Sequence, residues 1–521
     1  MKRFFAAAMA LAMTAGLLSG CGNQTSGNSQ GDTAQANNAT TLSDTSSTVK
    51  APKYVFLFIG DGMSYPQIQS TSDFLGALND EDYWQAQPSL DDNQGAILDG
   101  PEYLNFMNFE AAGSAVTYDS NSFAPDSAST ATSIATGHKT YSGSINVDET
   151  GTVEYETIAE QLKAQKGYEI GVITSVNLNH ATPAAFYAHQ ASRSSYYEIG
   201  LELVESGFDY FAGGGLLKPT GSSGDQTDLY ELAQEAGYTV AKTHAEADAI
   251  GTNTEKAIII DEDLADSDAM AYELDRTDDM WALADYVAKG IEVLDNDTGF
   301  FMMCEGGKID WACHANDAAS SIHDTQALAD AVQVAIDFAK EHADETLILV
   351  TGDHETGGLT IGFAGTDYDT YLDLLENQKI SYAKFDSDYV ASYKANKTPF
   401  ETVLADIEKL FGLKAQGEEG DKLVLTAYEM EQLRAAYEKS INGTASSQYD
   451  QAEYVLYGTY EPLSVTITHI INNKSGISFT SYSHTGLPVA VLAEGAGSEM
   501  FNGYYDNTDI YNKLADLLNI A

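Results

Sequence analysis

Three hydrophobic runs along this chain each stop at a carboxylate. Residues 54–59 lead into Gly60-Asp61-Gly62, residues 299–304 into Glu305-Gly306-Gly307, and residues 346–350 into Thr351-Gly352-Asp353-His354. Unbroken apolar runs bounded by glycine predict strands buried on both faces, and so a largely parallel sheet. Further strands are predicted at 168–174, 209–212, 257–260 and 488–492. Helical periodicity appears at 192–205, 278–294, 317–342 and 510–518. The alternation predicts a three-layer α/β/α sandwich. In such sheets ligands bind beyond the carboxyl ends of the strands. The three carboxylates are therefore aimed at one rim, which points to a polynuclear metal site.

The character changes between about 365 and 462, where Tyr, Lys, Asp and Glu are frequent and helical pieces are predicted at 399–411 and 427–439. This stretch reads as an insertion riding on the main sheet. Sheet-like sequence returns at 463–471. No internal repeat is found.

Small residues dominate from Pro125 to Gly137, predicting a helix that opens near Asp126-Ser127. A serine there lies in the positive field of the helix N-terminus, which suits a hydroxyl that must hold a phosphoryl group. An N-cap serine without chemistry has the same sequence. Arg193 could fork onto phosphate oxygens or make a surface ion pair. Asp310 and His314 stand at i, i+4, a spacing that brings two ligands to one metal. Asp353-His354 is a second acid–imidazole pair, and His484 adds a further imidazole.

Composition narrows the setting. With 26 Lys and Arg against 78 Asp and Glu, the net charge is −52 over 521 residues. That excludes nucleic acid as a partner, and an anionic substrate would need local positive charge such as metal ions. Three cysteines exclude a disulfide scaffold. Cys304 and Cys313 could pair, but a thiol ending a core strand favours the buried free state.

Lys2-Arg3 followed by the apolar residues 4–18 reads as a secretory leader. Leu18-Ser19-Gly20-Cys21 resembles a bacterial lipobox, which implies residues 1–20 as signal peptide and Cys21 as a lipid-modified N-terminus. Residues 21–50 are rich in Gly, Ser, Thr, Asn and Gln and read as a flexible tether. The expected location is extracytoplasmic, anchored to the cell membrane through Cys21.

From residue 51 onward the sequence resembles the alkaline phosphatases. The resemblance rests on Gly60-Asp61-Gly62-Met63, Asp126-Ser127-Ala128 with Thr136-Gly137, and Ala181-Thr182-Pro183 through to Arg193. It continues in Glu305 to Asp310 with His314, in Asp353-His354 and in His484-Thr485-Gly486. It implies hydrolysis of small phosphate monoesters, with Ser127 as the nucleophile that becomes phosphoserine and Arg193 as the phosphate clamp. Hydroxide held on zinc would then release inorganic phosphate. It implies two Zn2+, one held by Asp310, His314 and His484 and the other by Asp61, Asp353 and His354. It also implies one Mg2+ held by Asp61, Thr182 and Glu305. His180 and Trp311 stand at positions that vary within the family and tune the third metal site and phosphate release. The stretch 365–462 falls where the family carries a crown-like subdomain near a dimer interface, so a homodimer is one candidate assembly. A phosphodiesterase or sulfatase sharing the scaffold is the competing enzyme reading. The sulfatase Cys/Ser-x-Pro-x-Arg pattern is missing at Ser127-Ala128-Ser129-Thr130-Ala131. A surface protein that binds metal or phosphate with a dead site is the non-enzymatic alternative.

Overall fold

The structure is a computed structural model that describes residues 50–80, 83, 97–443 and 445–520. The predicted leader, Cys21 and all of the tether but Lys50 lie outside the described residues. Among the described residues no helix is long and apolar enough to cross a membrane.

Fourteen strands occur among them: β1 (Tyr54–Gly60), β2 (Ala111–Val116), β3 (Glu169–Thr174), β4 (Tyr210–Gly213), β5 (Thr239–Ala241), β6 (Ala257–Ile260), β7 (Phe300–Gly306), β8 (Thr346–Gly352), β9 (Glu355–Thr356), β10 (Thr360–Ile361), β11 (Ile477–Ser478), β12 (His484–Thr485), β13 (Val489–Gly495) and β14 (Gly503–Asp506). Ten of them form one sheet in the order β14-β2-β13-β8-β1-β7-β3-β4-β6-β5. The pairings are parallel except that β13 runs antiparallel to both β8 and β2.

Alternation along β1 builds two cores. Val55, Leu57 and Ile59 face one cluster, which includes the helices Ser127–Thr136 and Thr508–Leu518. Tyr54, Phe56 and Phe58 face the other, which includes the helices Leu283–Leu294 and Ala318–Glu341. Successive strand side chains point to opposite faces, so a strand apolar throughout must be covered on both. The three predicted layers follow.

The sequence places most elements correctly. The helix expected at 192–205 starts only at Tyr196, which leaves Arg193 in the preceding loop. The helix expected at 278–294 starts at Leu283. The sheet-like run at 463–471 is the clear correction, because Pro462–Ser475 is an α-helix. Its apolar and β-branched residues are buried on nearly every side (Leu463, Val465, Ile467, Thr468, Ile470 and Ile471 among them). Packing on all faces overrides the modest β preference of Val, Ile and Thr. The helix signals are Pro462 in its first turn and Gly476 in the left-handed conformation at its end. This helix runs through a third core, shared with the helices Phe400–Phe411 and Ala427–Asn442.

Cys304 and Cys313 are both free and buried, as expected for core thiols. The Cys313 Sγ lies 3.2 Å from the Ser321 hydroxyl.

Candidate active site

The strands β1, β7 and β8 lie side by side in register, with Gly60 opposite both Gly306 and Gly352. Asp61 and Asp353 therefore leave the sheet at one level, Glu305 stands opposite Ile59 near the same end of β7, and all three are fully buried. A Cβ on Gly352 would lie 1.8 Å from the Met63 carbonyl oxygen, so only glycine lets the turn after β1 cross the end of β8. That crossing brings the Gly62 amide to Asp353 Oδ1 at 3.2 Å. On the next strand, Thr174 pairs with Glu305 and donates its hydroxyl to Glu305 Oε2.

Asp310 and His314 sit on one face of the short helix Lys308–His314. His484 arrives from far along the chain because β12 pairs with β9, placing His484 opposite Thr356. Its Nδ1 donates to the Pro125 carbonyl at 2.5 Å, and His314 Nδ1 donates to the Tyr482 carbonyl at 2.7 Å. Both rings are thereby fixed with Nε2 as the bare nitrogen. These two nitrogens face each other at 3.1 Å, with His314 Nε2 3.3 Å and His484 Nε2 3.5 Å from Asp310 carboxylate oxygens.

The second set is equally tight. His354 Nε2 lies 3.2 Å from Asp61 Oδ1 and 3.4 Å from Asp353 Oδ2. Ser127 Oγ stands 3.1 Å from the same His354 Nε2 and 3.4 Å from Asp61 Oδ1. Ser127 is the first residue of the helix Ser127–Thr136, and Asp126, not Ser127, caps it by accepting from the Ser129 amide. The capping role that competed with a chemical one is thus taken by its neighbour.

Arg193 donates through Nη1 to Asp126 Oδ2 at 2.8 Å and through Nη2 to His180 Nε2 at 3.1 Å. It is held inside the cleft, not paired on the outer surface. Burial alone would raise the Asp126 carboxyl, but the Arg193 charge and the Gly143 and Ser129 amides hold it below its usual range. Burial and the Arg193 charge push His180 down to about 3, so its ring is neutral. His180 groups with Asp61 and Glu305 within ligating range, and the Thr182 hydroxyl lies 3.3 Å from Asp61 Oδ2. Trp311 meets His180 edge-on, with ring centroids 6.0 Å apart. The structure thus brings together all ten predicted rim residues and both tuning positions.

These donors fit metal ions. Two imidazole nitrogens aimed at one another at 3.1 Å repel unless a proton or a metal cation lies between them. Ligand atoms 2.0–2.1 Å from a tetrahedral zinc stand roughly 3.3 Å apart, close to the spacings in both sets. Burial, then Asp353 and Asp310, raises Asp61 well above an ordinary aspartate. Burial and Asp61 do the same to Glu305, whose Oε1 has no hydrogen-bond partner. Buried carboxylates crowded in this way call for positive charge. The cleft above them, of about 320 Å³, is lined by Ser127, Arg193, Asp310, His314 and His484 and by Trp311.

Residues 52–520 match the family profile described as alkaline phosphatase. This chain belongs to the alkaline phosphatase family. It is 30% identical over 473 residues to alkaline phosphatase 4 of Bacillus subtilis, covering 89% of this chain and 88% of that protein. Alkaline phosphatase 3 of the same organism is 30% identical over 472 residues, with 88% and 87% covered. The solved cold-active alkaline phosphatase of a psychrophilic Shewanella is 28% identical, with a TM-score of 0.69 over 89% of this chain and 99% of that one. The protein is accordingly a metal-dependent phosphomonoesterase with the α/β architecture of its family.

Within this alkaline phosphatase the sequence did not reveal the threonines behind the ligands. Thr356 Oγ1 donates to Asp310 Oδ1 at 2.5 Å and accepts from His354 Nδ1 at 3.3 Å, linking the two ligand sets. Thr130 donates to Asp353 Oδ2 at 3.0 Å. Partners of this kind fix ligand orientation, and losing one costs about 10–100-fold in metal affinity or activity. Thr356→Val is expected to show a loss of that size. Metal content after dialysis and kcat/KM on a monoester measure it, and wild-type values for both would refute the role.

Proposed function

We propose that Ser127 is the nucleophile and Arg193 the phosphate clamp. The ions we assign are one zinc on Asp310, His314 and His484, a second on Asp61, Asp353 and His354, and a magnesium on Asp61, Thr182 and Glu305. The observation that carries this reading is the position of Ser127 Oγ, at a buried helix N-terminus within 3.4 Å of Asp61 and 3.1 Å of His354. Imidazole and carboxylate together suit zinc, and an oxygen-only set suits magnesium. A histidine-to-glutamate mutant of the TAB5 alkaline phosphatase, 25% identical over 91% of this chain with a TM-score of 0.60, is described with magnesium in its M3 site.

The residues divide the work as follows. Free amides at the start of the Ser127–Thr136 helix and the Arg193 guanidinium receive the phosphoryl oxygens. Asp126 stays ionised and aims the guanidinium. Ser127 Oγ attacks phosphorus as the bond to the leaving alcohol breaks, and water then cleaves the phosphoserine to free phosphate. Divalent metal, when bound, neutralises phosphate charge and lowers the pKa of the hydroxyl and of water.

The test is hydrolysis of p-nitrophenyl phosphate by residues 51–521, with zinc and magnesium added, against bis-p-nitrophenyl phosphate. Monoester turnover should dominate. Preference for the diester would move the assignment to a phosphodiesterase and remove the role given to Arg193.

We further propose that residues 1–20 are a signal peptide, that 21–50 tether the catalytic domain 51–521, and that Cys21 anchors it to the outer side of the cell membrane. The stretch of about 365–462 is assigned as a crown-like subdomain, with a homodimer as the assembly to test by sedimentation. Loss of membrane association on Cys21→Ala is the expected mark of the anchor. Unchanged fractionation would refute it.

A further inference from the structure

The phosphoryl end of the cleft accounts for only part of it. A water molecule takes about 30 Å³ of liquid, so a cleft of about 320 Å³ has room for a leaving group as well. Beyond Trp311 its wall is formed by Tyr382 and Tyr460, from the stretch whose role the sequence left open. The two rings stand 5.7 Å apart with planes at 82°, making a right-angled corner.

The corner is held rigidly. The Tyr272 ring packs edge-on against Tyr382 at 5.8 Å, and the Tyr272 hydroxyl donates to the Tyr382 hydroxyl at 3.3 Å. Behind Tyr272 lies the buried Lys308 ammonium, 3.9 Å from that ring centroid, 4.7 Å from the Trp311 ring and 3.1 Å from Asp266 Oδ1. On its other side Tyr460 leans on Tyr482, 6.1 Å away. A flat ring entering the corner can stack on one tyrosine while its edge meets the other. Charge sets the second condition. Among the described residues lining the cleft, Arg193 is the only lysine or arginine, while Asp266 and Asp310 also line it. No cation there receives a second anionic group on the leaving alcohol.

We propose that Tyr382 and Tyr460 form a leaving-group subsite for a flat, uncharged ring set off from the phosphate by a spacer. This makes nucleoside 5′-monophosphates the favoured substrate class. The inference rests on the monoesterase reading above. It is tested with adenosine 5′-monophosphate and ribose 5-phosphate, which share the same leaving hydroxyl and differ only in the base. Base stacking on an aromatic side chain is worth about 1–3 kcal/mol, or roughly five- to 150-fold. The wild-type protein should therefore show a kcat/KM ratio of at least about fivefold in favour of the nucleotide. Tyr460→Leu should bring the ratio toward one, and Tyr460→Phe should keep it. A wild-type ratio near one, or a ratio that survives Tyr460→Leu, overturns the subsite. Failure of the wild-type protein to hydrolyse either ester would instead overturn the monoesterase reading itself.

Discussion

Ser127→Ala should lower kcat on phosphate monoesters by about 10^4-fold or more, the scale seen when a covalent nucleophile is removed. The substitution deletes one oxygen and little else. The Asp126 cap and the Ser129 amide that it accepts are untouched, and alanine favours the helix slightly over serine. The lost contacts, at 3.1 and 3.4 Å to His354 and Asp61, are long ones. Thermal stability and bound metal should therefore remain near wild type while turnover collapses. Labelled substrate quenched in acid should leave phosphate on the wild-type protein and none on the variant. Retention of a tenth or more of the activity would mean that water attacks phosphorus directly, and that Ser127 only lines the site.

Chelation of the metals should have the other large effect, on activity and stability together. Asp61, Glu305 and Asp353 are fully buried, and burial heads the causes that raise all three above ordinary carboxylates. In metal-free protein these groups bind protons more tightly when folded than when unfolded. Their contribution to stability is then present below the unfolded values near 4 and is lost as pH rises through the raised folded values. Bound cations take the place of those protons, and each site filled at a thousand times its dissociation constant adds about 4 kcal/mol. The gap in Tm between metal-loaded and chelated protein should widen between about pH 6 and about pH 9, where proton competition for the ligands also fades. Turnover should fall by roughly a thousandfold or more on chelation, since each metal contributes several kcal/mol to charge stabilisation. A gap that stays constant or narrows toward alkaline pH would contradict this account.

Much of the rim was legible in the sequence because its logic is one-dimensional. Apolar runs ending in Gly60-Asp61, Glu305-Gly306 and Gly352-Asp353 mark strand ends directly, and the register Gly60–Gly306 and Gly60–Gly352 shows why they converge. The i, i+4 pair Asp310–His314 is local too. What pairing across the chain creates was harder to see. His484 reaches Asp310 through two-residue strands too short to leave a pattern. Thr356 and Thr130 look like ordinary small polar residues until their hydroxyls are found against Asp310 and Asp353. Thr174 was within reach, since it ends a predicted strand and stands opposite Glu305. The misreading at 463–471 has the opposite cause. There a strong local preference for strand gave way to burial on all sides in a core that local sequence does not announce.

The place of β13 governs when this molecule can finish folding. It is among the last strands in the chain, yet it lies in the interior of the sheet, between β8 and β2. Until residues 489–495 emerge, β8 presents an open edge and β2 has no route into the sheet, because its other partner, β14, is itself the edge strand and comes later still. His484, just upstream, belongs to the same late-arriving segment. Chains are made from the N-terminus, and contacts between distant segments form slowly. A growing chain therefore carries most of its ligands long before it can close a pocket around them. Metal capture is tied to chain completion, and a chain stopped before residue 484 would be both an open-edged sheet and an incomplete cage.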